Sequence, residues 1–395
     1  MYLDSKRLDV EDKKKSNIFN WRGQFTPEFV EYILSEFSTN QDIIVDPFCG
    51  SGTVLQECAF RQTSAYGFEI NPAAYGMAKF FSLSSLSIEK RKYLTNCVKK
   101  RIDALSNRFT DLPLFSCAYE FRERAANLLD FARELFSQSE NKTETLISLL
   151  TLFEAESSRN SDIVKSVNRA FSKIAEILLN LPFCEKKISA VLCDARLIHN
   201  YIKQEANLIL TSPPYVNVFN YHQNHRAILE ILGFDMLEVA ASEFGSNRKN
   251  RSNRFKTVIQ YCIDIEQAIL SFSSALKQKG FLIFVVGRES NVRGIPIPNS
   301  RMVRELTVSA NGFSIEGEYN RRFTNRFGHS IIEDILIFRR NSNEAIGTKA
   351  VAVAVDCLKE LSAGAGGDIL ENMQDAVSEA DSVLPSKLLT RSPML

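Results

Sequence analysis

The chain has 395 residues, of which 45% are hydrophobic and 24% charged, and its formal net charge is +1. This composition excludes collagen-like, low-complexity and wholly disordered proteins, and the near-neutral total argues against a protein that binds polyanions with its entire surface. The apolar runs are far shorter than a bilayer span and the N-terminus is too charged for a signal peptide, so we expect a cytoplasmic protein.

The numbers and spacing of cysteine and histidine limit the disulfide and metal sites that the chain could form. The eight cysteines form no CxxC pair, and there are only four histidines. We therefore expect neither a disulfide framework nor a metal site, and mostly buried, reduced thiols.

Apolar runs and glycine turns in the first part of the chain predict a βαβ unit. The predicted elements are a strand at 42–46, a helix at 54–60, a strand at 65–69 and a helix at 72–81. From about 84 to 187, long charge-laced stretches predict a helical insertion with helices at 88–109, 120–136 and 162–181, interrupted by the polar segment 137–145.

Strand patterns return after the insertion. Strands are predicted at 188–193, 207–211 and 280–287, a helix at 263–277, and a terminal strand pair at 313–319 and 331–339. Strands that alternate with helices indicate an α/β fold with a doubly wound, mostly parallel sheet and a terminal antiparallel strand. The predicted organisation has four parts: an N-terminal arm with a first half-domain at 1–83, the insertion at 84–187 and a second half-domain at 188–340. The fourth part, 341–395, is predicted to be an acidic, flexible appendage with one or two short helices.

An acidic residue and two glycines follow the first predicted strand. Asp46 ends that strand, and Gly50 and Gly52 lie in the turn that opens the next helix, where small residues let a ligand approach backbone N–H groups. Leu55 stands where the third glycine of a dinucleotide fingerprint would fall, so a nucleoside-type cofactor without a pyrophosphate fits better.

Two further acids end neighbouring predicted strands. Glu69 comes nineteen residues after Gly50, near the spacing at which an acid accepts both ribose hydroxyls, and Asp194 follows the strand at 188–193. Together they favour a nucleoside site, although either could be a solvated residue at a strand end.

Four residues with restricted geometry, Ser212, Pro213, Pro214 and Tyr215, follow the buried strand at 207–211. Two consecutive prolines fix an extended backbone and remove two N–H donors, which leaves carbonyls free to point into a cleft. Such a segment suits the acceptance of hydrogen bonds from an amino group. The alternative is a plain strand-ending turn with a packed tyrosine.

These motifs resemble those of the S-adenosylmethionine-dependent amino-methyltransferases of DNA found in restriction-modification systems. DPFCGSGT at 46–53 resembles the family's cofactor motif, FEINP at 68–72 its ribose-binding strand end, and TSPPY at 211–215 its catalytic motif. The resemblance covers roughly 20–83 and 186–340 and implies a Rossmann-like methyltransferase sheet. The segment 19–29 is loosely similar to one that closes over the methionine. By the resemblance, the cofactor's methionine part contacts Asp46, Phe48, Gly50, Ser51, Gly52 and Thr53, its ribose contacts Glu69, and its adenine amino group contacts Asp194.

The first residue of the catalytic motif distinguishes the family's substrates. Adenine-N6 enzymes usually carry Asp or Asn there, and cytosine-N4 enzymes typically carry Ser, like Ser212 here. The N4 lone pair is delocalised into the ring, so acceptors on its hydrogens, the Ser212 hydroxyl and the Pro213 carbonyl, would direct it at the methyl sulfonium. Tyr215 would stack on a base flipped out of duplex DNA. The cofactor supplies the electrophile, so no metal is needed. Cys49 is not expected to be a cytosine-C5 nucleophile, because no proline precedes a cysteine.

Basic residues follow the catalytic motif. The segment 247–256 suggests a DNA-binding loop, with a second basic cluster at 320–329, although either could be a solvated surface. Residues 243–340 hold 16 basic and 9 acidic side chains, and 341–395 hold 4 and 8, so we expect a one-sided DNA surface with the acidic tail away from it. The candidate DNA contacts are Arg248, Lys249, Arg251 and Arg254, and the candidates for a flipped-base pocket are Asn217, Tyr221, His225 and Arg226.

The sequence therefore predicts an enzyme that makes N4-methylcytosine in double-stranded DNA, alone or beside a restriction endonuclease. The alternatives are an adenine-N6 DNA methyltransferase, an RNA amino-methyltransferase, and a non-catalytic nucleic-acid-binding subunit. The insertion could recognise the target, cover the core or form a dimer surface. Oligomeric state and recognition sequence cannot be derived from one chain.

Overall fold

A computed structural model of the chain describes residues 3–10, 14–109, 120–158, 160, 162–216, 220–245, 250, 252–310, 312–324, 328, 330–341, 345–347 and 349–389, with the backbone alone at 120–125. No helix of these residues is long and apolar enough to cross a membrane.

The fold is built on a seven-stranded sheet. Its strands are β1 (Ile43–Asp46), β2 (Ser64–Glu69), β3 (Ile188–Leu192), β4 (Ala206–Thr211), β5 (Leu276–Gly287), β8 (Phe313–Thr324) and β9 (Ser330–Arg340), and a separate hairpin comprises β6 (Ser290–Val292) and β7 (Ile295–Ile297). The strand order is β3-β2-β1-β4-β5-β9-β8. The strands from β3 to β5 pair in parallel, whereas β9 is antiparallel to both β5 and β8. The predicted α/β class with a terminal antiparallel strand is confirmed.

Helices cover both faces of the sheet. They are α1 (Ser5–Asp9), α2 (Pro27–Phe37), α3 (Thr53–Phe60), α4 (Pro72–Phe80), α5 (Ile88–Phe109), α6 (Glu120–Ser137), α7 (Lys142–Glu156), α8 (Ile163–Asn180), α9 (Arg226–Ile231), α10 (Met236–Ser242), α11 (Lys256–Ala275), α12 (Asn299–Ser309), α13 (Ala350–Ser362) and α14 (Gly367–Ser378). Successive strand residues point to opposite faces, so Ile44 and Leu208 pack with α2–α8, while Val45 and Ile209 pack with α11–α14.

The insertion, α5–α8, shares its hydrophobic core with the sheet. Phe131 and Leu149 are fully buried in the same cluster as Phe80 of α4, and the Leu149 side chain would lie 3.3 Å from a Cβ added at Gly76. The insertion therefore covers one layer of the fold instead of forming a separate core. Its outer boundaries, and any role in target recognition, stay predictions.

Two helices differ from their predicted bounds. The helix α7 begins at Lys142, inside the polar segment expected to interrupt the helices, because the Asn141 side chain caps it by accepting the Glu144 N–H at 3.0 Å. The helix α11 begins at Lys256, seven residues earlier than predicted. Its first turns are buried on nearly all sides, so they lack the amphipathic period on which the prediction depended.

The C-terminal segment corrects the prediction of a flexible appendage. The helices α13 and α14 contribute Ala354, Leu358 and Met373 to the cluster around α11. Their acidic residues also lie against the basic region, not away from it: Glu360 pairs with Arg301 at 2.7 Å. The Ala-rich composition that suggested flexibility instead allows close helix packing.

Candidate active site

A cavity lies at the carboxyl ends of the parallel strands. It encloses about 1130 Å³, counting the part open to solvent. The first crossovers run from β1 to β2 and β3 and the later ones from β4 to β5, so the strand order reverses between β1 and β4. Ligands of open α/β sheets bind at such a reversal. The strand ends line the cavity with Asp46, Phe48, Gly50, Thr53, Glu69, Ser212, Pro213, Pro214 and Tyr215.

Two carboxylates, of the buried Asp46 and the half-buried Glu69, connect the ends of β1 and β2. Asp46 Oδ1 accepts the Thr211 hydroxyl at 2.6 Å and the Phe48 N–H at 3.2 Å. Glu69 Oε2 accepts the N–H of Gly50 at 2.9 Å, and its other oxygen accepts the Asn71 N–H at 2.8 Å. Gly50 has a φ of +51°, which glycine adopts without strain. The predicted glycine turn is therefore held in place by the predicted ribose-binding acid.

Burial sets the charge of this part of the cavity. Removal from water raises the pKa of Asp46 to about 7 and the pKa of Glu69 to about 7. The hydrogen bonds that each carboxylate accepts lower its pKa and offset part of this effect. Two carboxyls that ionise near neutrality in an apolar cavity favour a ligand with positive charge. Burial also raises the pKa of the Cys49 thiol, which keeps it a neutral residue of the turn.

The N-terminal segment closes over the glycine turn. The Trp21 ring stacks on Tyr221, with centroids 5.9 Å apart and planes at 21°, and Trp21 Cδ1 would lie 3.2 Å from a Cβ added at Gly50. Asn17 donates to the Thr53 hydroxyl at 2.9 Å. The loosely matched segment 19–29 thus lines the cavity, together with one predicted base-pocket residue, Tyr221.

The predicted catalytic motif lines the same cavity. The ring of Tyr215 packs on Gly287, where an added Cβ would lie 2.6 Å from the ring, and its hydroxyl donates to Glu333 Oε1 at 2.9 Å. Two segments that are far apart in sequence, around Asp46 and around Ser212, therefore form one site.

Asp194 is not at the cavity, contrary to the sequence prediction. It is fully buried in an ion pair with Arg196, at 2.6 Å, and the same guanidinium contacts Asp264 at 3.0 Å. Both Asp194 oxygens accept from Arg196, and the residue has no exposed surface. The neighbouring Ala195 lines the cavity instead.

Ser51 and Gly52 support the turn without lining the cavity. The Ser51 hydroxyl donates to Gln24 Oε1 at 2.5 Å, and Gln24 itself lines the cavity. Gly52 has a φ of +90° and packs so closely on α4 that an added Cβ would lie 2.8 Å from Ala78 Cα. Their small size is needed for packing, which the motif alone does not distinguish from ligand contact.

Sequence reasoning missed several cavity residues. Phe244 meets Phe48 edge-on, with ring centroids 5.3 Å apart, and Glu243 beside it accepts from His222 Nδ1 at 2.9 Å. Neither belongs to a recognisable motif. Ile70 carried a signal, since it directly follows Glu69 in FEINP. The other lining residues outside the predicted set include Asn71 and Glu333.

The other DNA and base-pocket candidates are only partly described. Arg248, Lys249, Arg251 and Asn217 lie outside the described residues, and Arg254 is half-buried in the turn before α11. His225 and Arg226 do not line the cavity: His225 Nδ1 lies 2.5 Å from Glu156 of the insertion, and Arg226 pairs with Glu230 at 2.7 Å. In the second basic cluster, Arg321 is buried in an ion pair.

The first part of the chain matches a known protein family. Residues 2–80, which contain both the glycine turn and Glu69, match the N6_N4_Mtase family, described as DNA methylase. This segment of the chain is thus similar to the DNA methylase family. The methyltransferase family that it resembles uses S-adenosylmethionine as its cofactor.

Individual proteins similar to this chain are distant from it. M.MjaII of Methanocaldococcus jannaschii, a type II methyltransferase, is 31% identical over 96 residues, which are 24% of this chain and 17% of that protein. M.BsoBI of Geobacillus stearothermophilus, also a type II methyltransferase, is 21% identical over 316 residues and matches 63% of this chain and 60% of that protein. The chain thus spans less than two thirds of the length of either relative. TrmN from Thermus thermophilus is 10% identical with a TM-score of 0.35, over 81% of this chain and 50% of that chain.

The cavity fits S-adenosylmethionine on its own chemistry. Its carboxylates can interact with a ligand that carries a positive charge and hydroxyl groups. Its aromatic side chains, Phe48 and Phe244, can pack against a flat ring. No group of His, Cys, Asp and Glu in the described part of the chain could hold a metal ion.

Proposed function

We propose that this protein is a DNA methyltransferase, which transfers a methyl group from S-adenosylmethionine to the exocyclic N4 of a cytosine flipped out of duplex DNA. The observation that carries the proposal is that one cavity is lined both by Asp46, Gly50 and Glu69 and by the Ser212–Tyr215 motif. A methyl donor and an amino acceptor bound to these two parts would share a single space, as direct transfer requires.

On the cofactor side, S-adenosylmethionine supplies an electrophilic methyl group on a sulfonium. Glu69 would accept hydrogen bonds from the ribose, a role supported by its position at the end of β2 and at the wall of the cavity. Asp46, buried beneath the glycine turn, adds negative charge near the cationic part of the ligand. Trp21 and Tyr221 restrict water at the opening above this turn.

On the substrate side, Ser212 and Pro213 would hold the target amino group. The Ser212 hydroxyl oxygen and the Pro213 carbonyl can each accept one amino hydrogen, which localises the nitrogen lone pair toward the methyl group. Tyr215 offers a ring face on which the extruded base would stack, offsetting part of the few kcal/mol lost on unstacking. Serine at position 212 supports cytosine as the target base.

The test is methyl transfer to DNA with tritiated S-adenosylmethionine, followed by nucleoside analysis. We expect labelled N4-methylcytosine. N6-methyladenine as the only product would refute the cytosine assignment and leave the amino-methyltransferase assignment intact. Labelling of RNA but not DNA would refute the DNA assignment.

Two variants test the site. Ser212→Ala removes the acceptor and Tyr215→Ala removes the stacking ring, so each should reduce the transfer rate by about two orders of magnitude, the scale seen when one preorganised hydrogen-bonding group is lost. Ser309→Ala, a partly buried serine of α12 outside the cavity, is the matched control and should keep full activity. Full activity in Ser212→Ala would refute the assignment.

The basic loop is proposed to hold the DNA backbone through Arg248, Lys249, Arg251 and Arg254. Alanine at these positions should weaken DNA binding for all sequences alike and reduce the dependence of log K on log salt by about one per lost phosphate contact. An endonuclease that acts on the same site and a cytoplasmic location stay predictions.

A further inference from the structure

A short segment, residues 221–225, connects the insertion to the wall of the cavity. It begins with a tight turn, in which the Asn224 N–H donates to the Tyr221 carbonyl at 3.1 Å, and ends at His225, directly before α9. Tyr221 lines the cavity, where its ring stacks on Trp21, whereas the His225 side chain contacts α7 of the insertion. The two ends of this bridging segment therefore have different partners.

Two contacts hold His225 on α7. The imidazole stacks on the Phe153 ring, with centroids 4.0 Å apart and planes at 18°, and its Nδ1 lies 2.5 Å from Oε2 of Glu156. A carboxylate oxygen accepts hydrogen bonds, so Nδ1 is the donor. The imidazole is thus bound through both its face and its edge.

The backbone of His225 depends on these contacts. Its φ of +55° and ψ of +22° lie in the left-handed region, which a residue with a side chain adopts only at a cost in energy. Such a conformation persists where the surrounding structure holds it. Because His225 follows the turn directly, its backbone direction sets where the turn places Tyr221.

The helix α7 is a fixed support for this segment. Phe153 is only 3% exposed, and Leu149, one turn earlier, is fully buried and packs beside Gly76 of α4. Ile228 and Leu229 of α9 are fully buried in the same cluster. The position of His225 is therefore defined relative to the sheet.

A second anchor lies on the cavity side. His222 donates to Glu243 from its backbone N–H at 2.8 Å and from Nδ1 at 2.9 Å, and Glu243 lines the cavity. Loss of the His225 contacts should therefore displace the turn without releasing it, and the effect on ligand binding should be moderate.

We propose that His225 is a positioning residue through which the insertion holds Tyr221 against Trp21 in the wall of the cofactor cavity. The inference rests on the proposed function, which supplies S-adenosylmethionine as the ligand. It gives the insertion a part in cofactor binding. A ligand binds only those molecules in which the wall is in place, so its apparent Kd rises as their fraction falls.

The decisive experiment uses Trp21 as a reporter, since it is the single tryptophan of the chain. In the full-length His225→Ala variant without ligand, the constant for quenching of its fluorescence by acrylamide should rise about twofold or more. The Kd for S-adenosylmethionine, measured by calorimetry, should rise about fivefold, as when about one fifth of the molecules keep the wall in place. His199→Ala is the matched control, because this half-buried histidine contacts Ser271 away from the cavity, and both quantities should stay unchanged.

A carboxylate pair on α7 tests the same contact without removing a ring. Glu156→Ala should raise the quenching constant and the Kd in the same direction as His225→Ala. Glu154→Ala is its control: its side chain is also 37% exposed and on the same helix, but it pairs with Lys173 and should change neither quantity. This arm decides the question if His225→Ala does not fold.

The Tyr221→Ala background separates positioning from general stabilisation. Once the positioned ring is absent, adding His225→Ala should change the Kd by less than about twofold. An equal rise of Kd in both backgrounds would overturn the inference. Unchanged quenching and Kd in His225→Ala, or in Glu156→Ala where the former does not fold, would overturn it as well.

Failure of the proposed function would look different. A wild-type protein that binds S-adenosylmethionine but methylates no DNA refutes that function and leaves the Kd comparison valid. A wild-type protein that does not bind S-adenosylmethionine also refutes it, and quenching of Trp21 in the ligand-free variants then tests the positioning by itself. Quenching constants equal to those of the wild type would in that case overturn the inference.

Discussion

The affinity of the protein for S-adenosylmethionine, its proposed methyl donor, should increase as the pH rises from 6 to 8. The cause is the pair of carboxyls in the cavity, since burial raises the pKa of Asp46 to about 7 and the pKa of Glu69 to about 7. At pH 6 most free protein carries both as neutral acids. A cationic, hydroxyl-bearing cofactor favours the ionised forms, so binding must first release protons.

The magnitude follows from the two pKa values. A group with a pKa of about 7 is roughly one-tenth ionised at pH 6 and nine-tenths at pH 8, so each group changes the affinity by about tenfold. If both are ionised in the complex, Kd falls by up to about a hundredfold across this interval. The stability of the free protein should change in the opposite direction, because the folded state binds protons between pH 4 and 7 that the unfolded chain has released.

Titration calorimetry in buffers of different ionisation enthalpy measures both quantities. We expect a Kd that decreases with pH and a release of about one to two protons near pH 6.5. Glu69→Gln should bind more weakly and release about one proton fewer. Glu89→Gln, on an exposed helix end far along the chain from the cavity, should match the wild type. A Kd independent of pH between 6 and 8, with no proton release, would refute the reasoning.

Three further predictions concern stability, measured as urea unfolding midpoints and slopes. Gly52→Ala should lower the free energy of unfolding by about 2 kcal/mol or more, because φ is +90° and the new Cβ meets the backbone of α4. The control Gly366→Ala, with open space around it, should lower it by less than about 0.5 kcal/mol. Leu149→Ala should cost about 2–5 kcal/mol and keep a single transition; a separate transition for the insertion would contradict the shared core. Arg196→Met should lower the free energy of unfolding by about 3–5 kcal/mol, because it leaves two buried carboxylates without their cation. The control Arg301→Met, at an exposed ion pair, should lower it by about 1 kcal/mol or less. Equal losses of stability in the two variants would refute this account.

Much of the fold could be predicted because its signals are local. The strand ends at Asp46 and Glu69 were predicted because short apolar runs end there in turn residues. Helix α5 was predicted with its observed bounds of 88–109, since its polar and apolar faces alternate clearly. The α11 start was missed because burial on all sides removes that alternation.

The site was predicted where its residues belong to one continuous segment. The glycine turn and the Ser-Pro-Pro-Tyr segment are such cases, and the structure brings both to one cavity. Asp194 shows the opposite. Its position at a strand end suggested a ligand contact, but Arg196, two residues on, occupies both its oxygens. Whether a carboxylate at a strand end contacts a ligand or forms an internal ion pair depends on the conformation of the neighbouring side chain.

The sequence by itself determined where the strands of the large sheet lie and which residues follow their carboxyl ends, because periodicity and turn chemistry act over a few residues. Only the tertiary structure decided that the C-terminal segment packs on α11, where the backbone carbonyl of Ser386 accepts from Arg196 at 2.8 Å. It also decided that Glu333 meets Tyr215. These partners are 190 and 118 residues apart, and such contacts depend on strand register and packing, which no local pattern specifies.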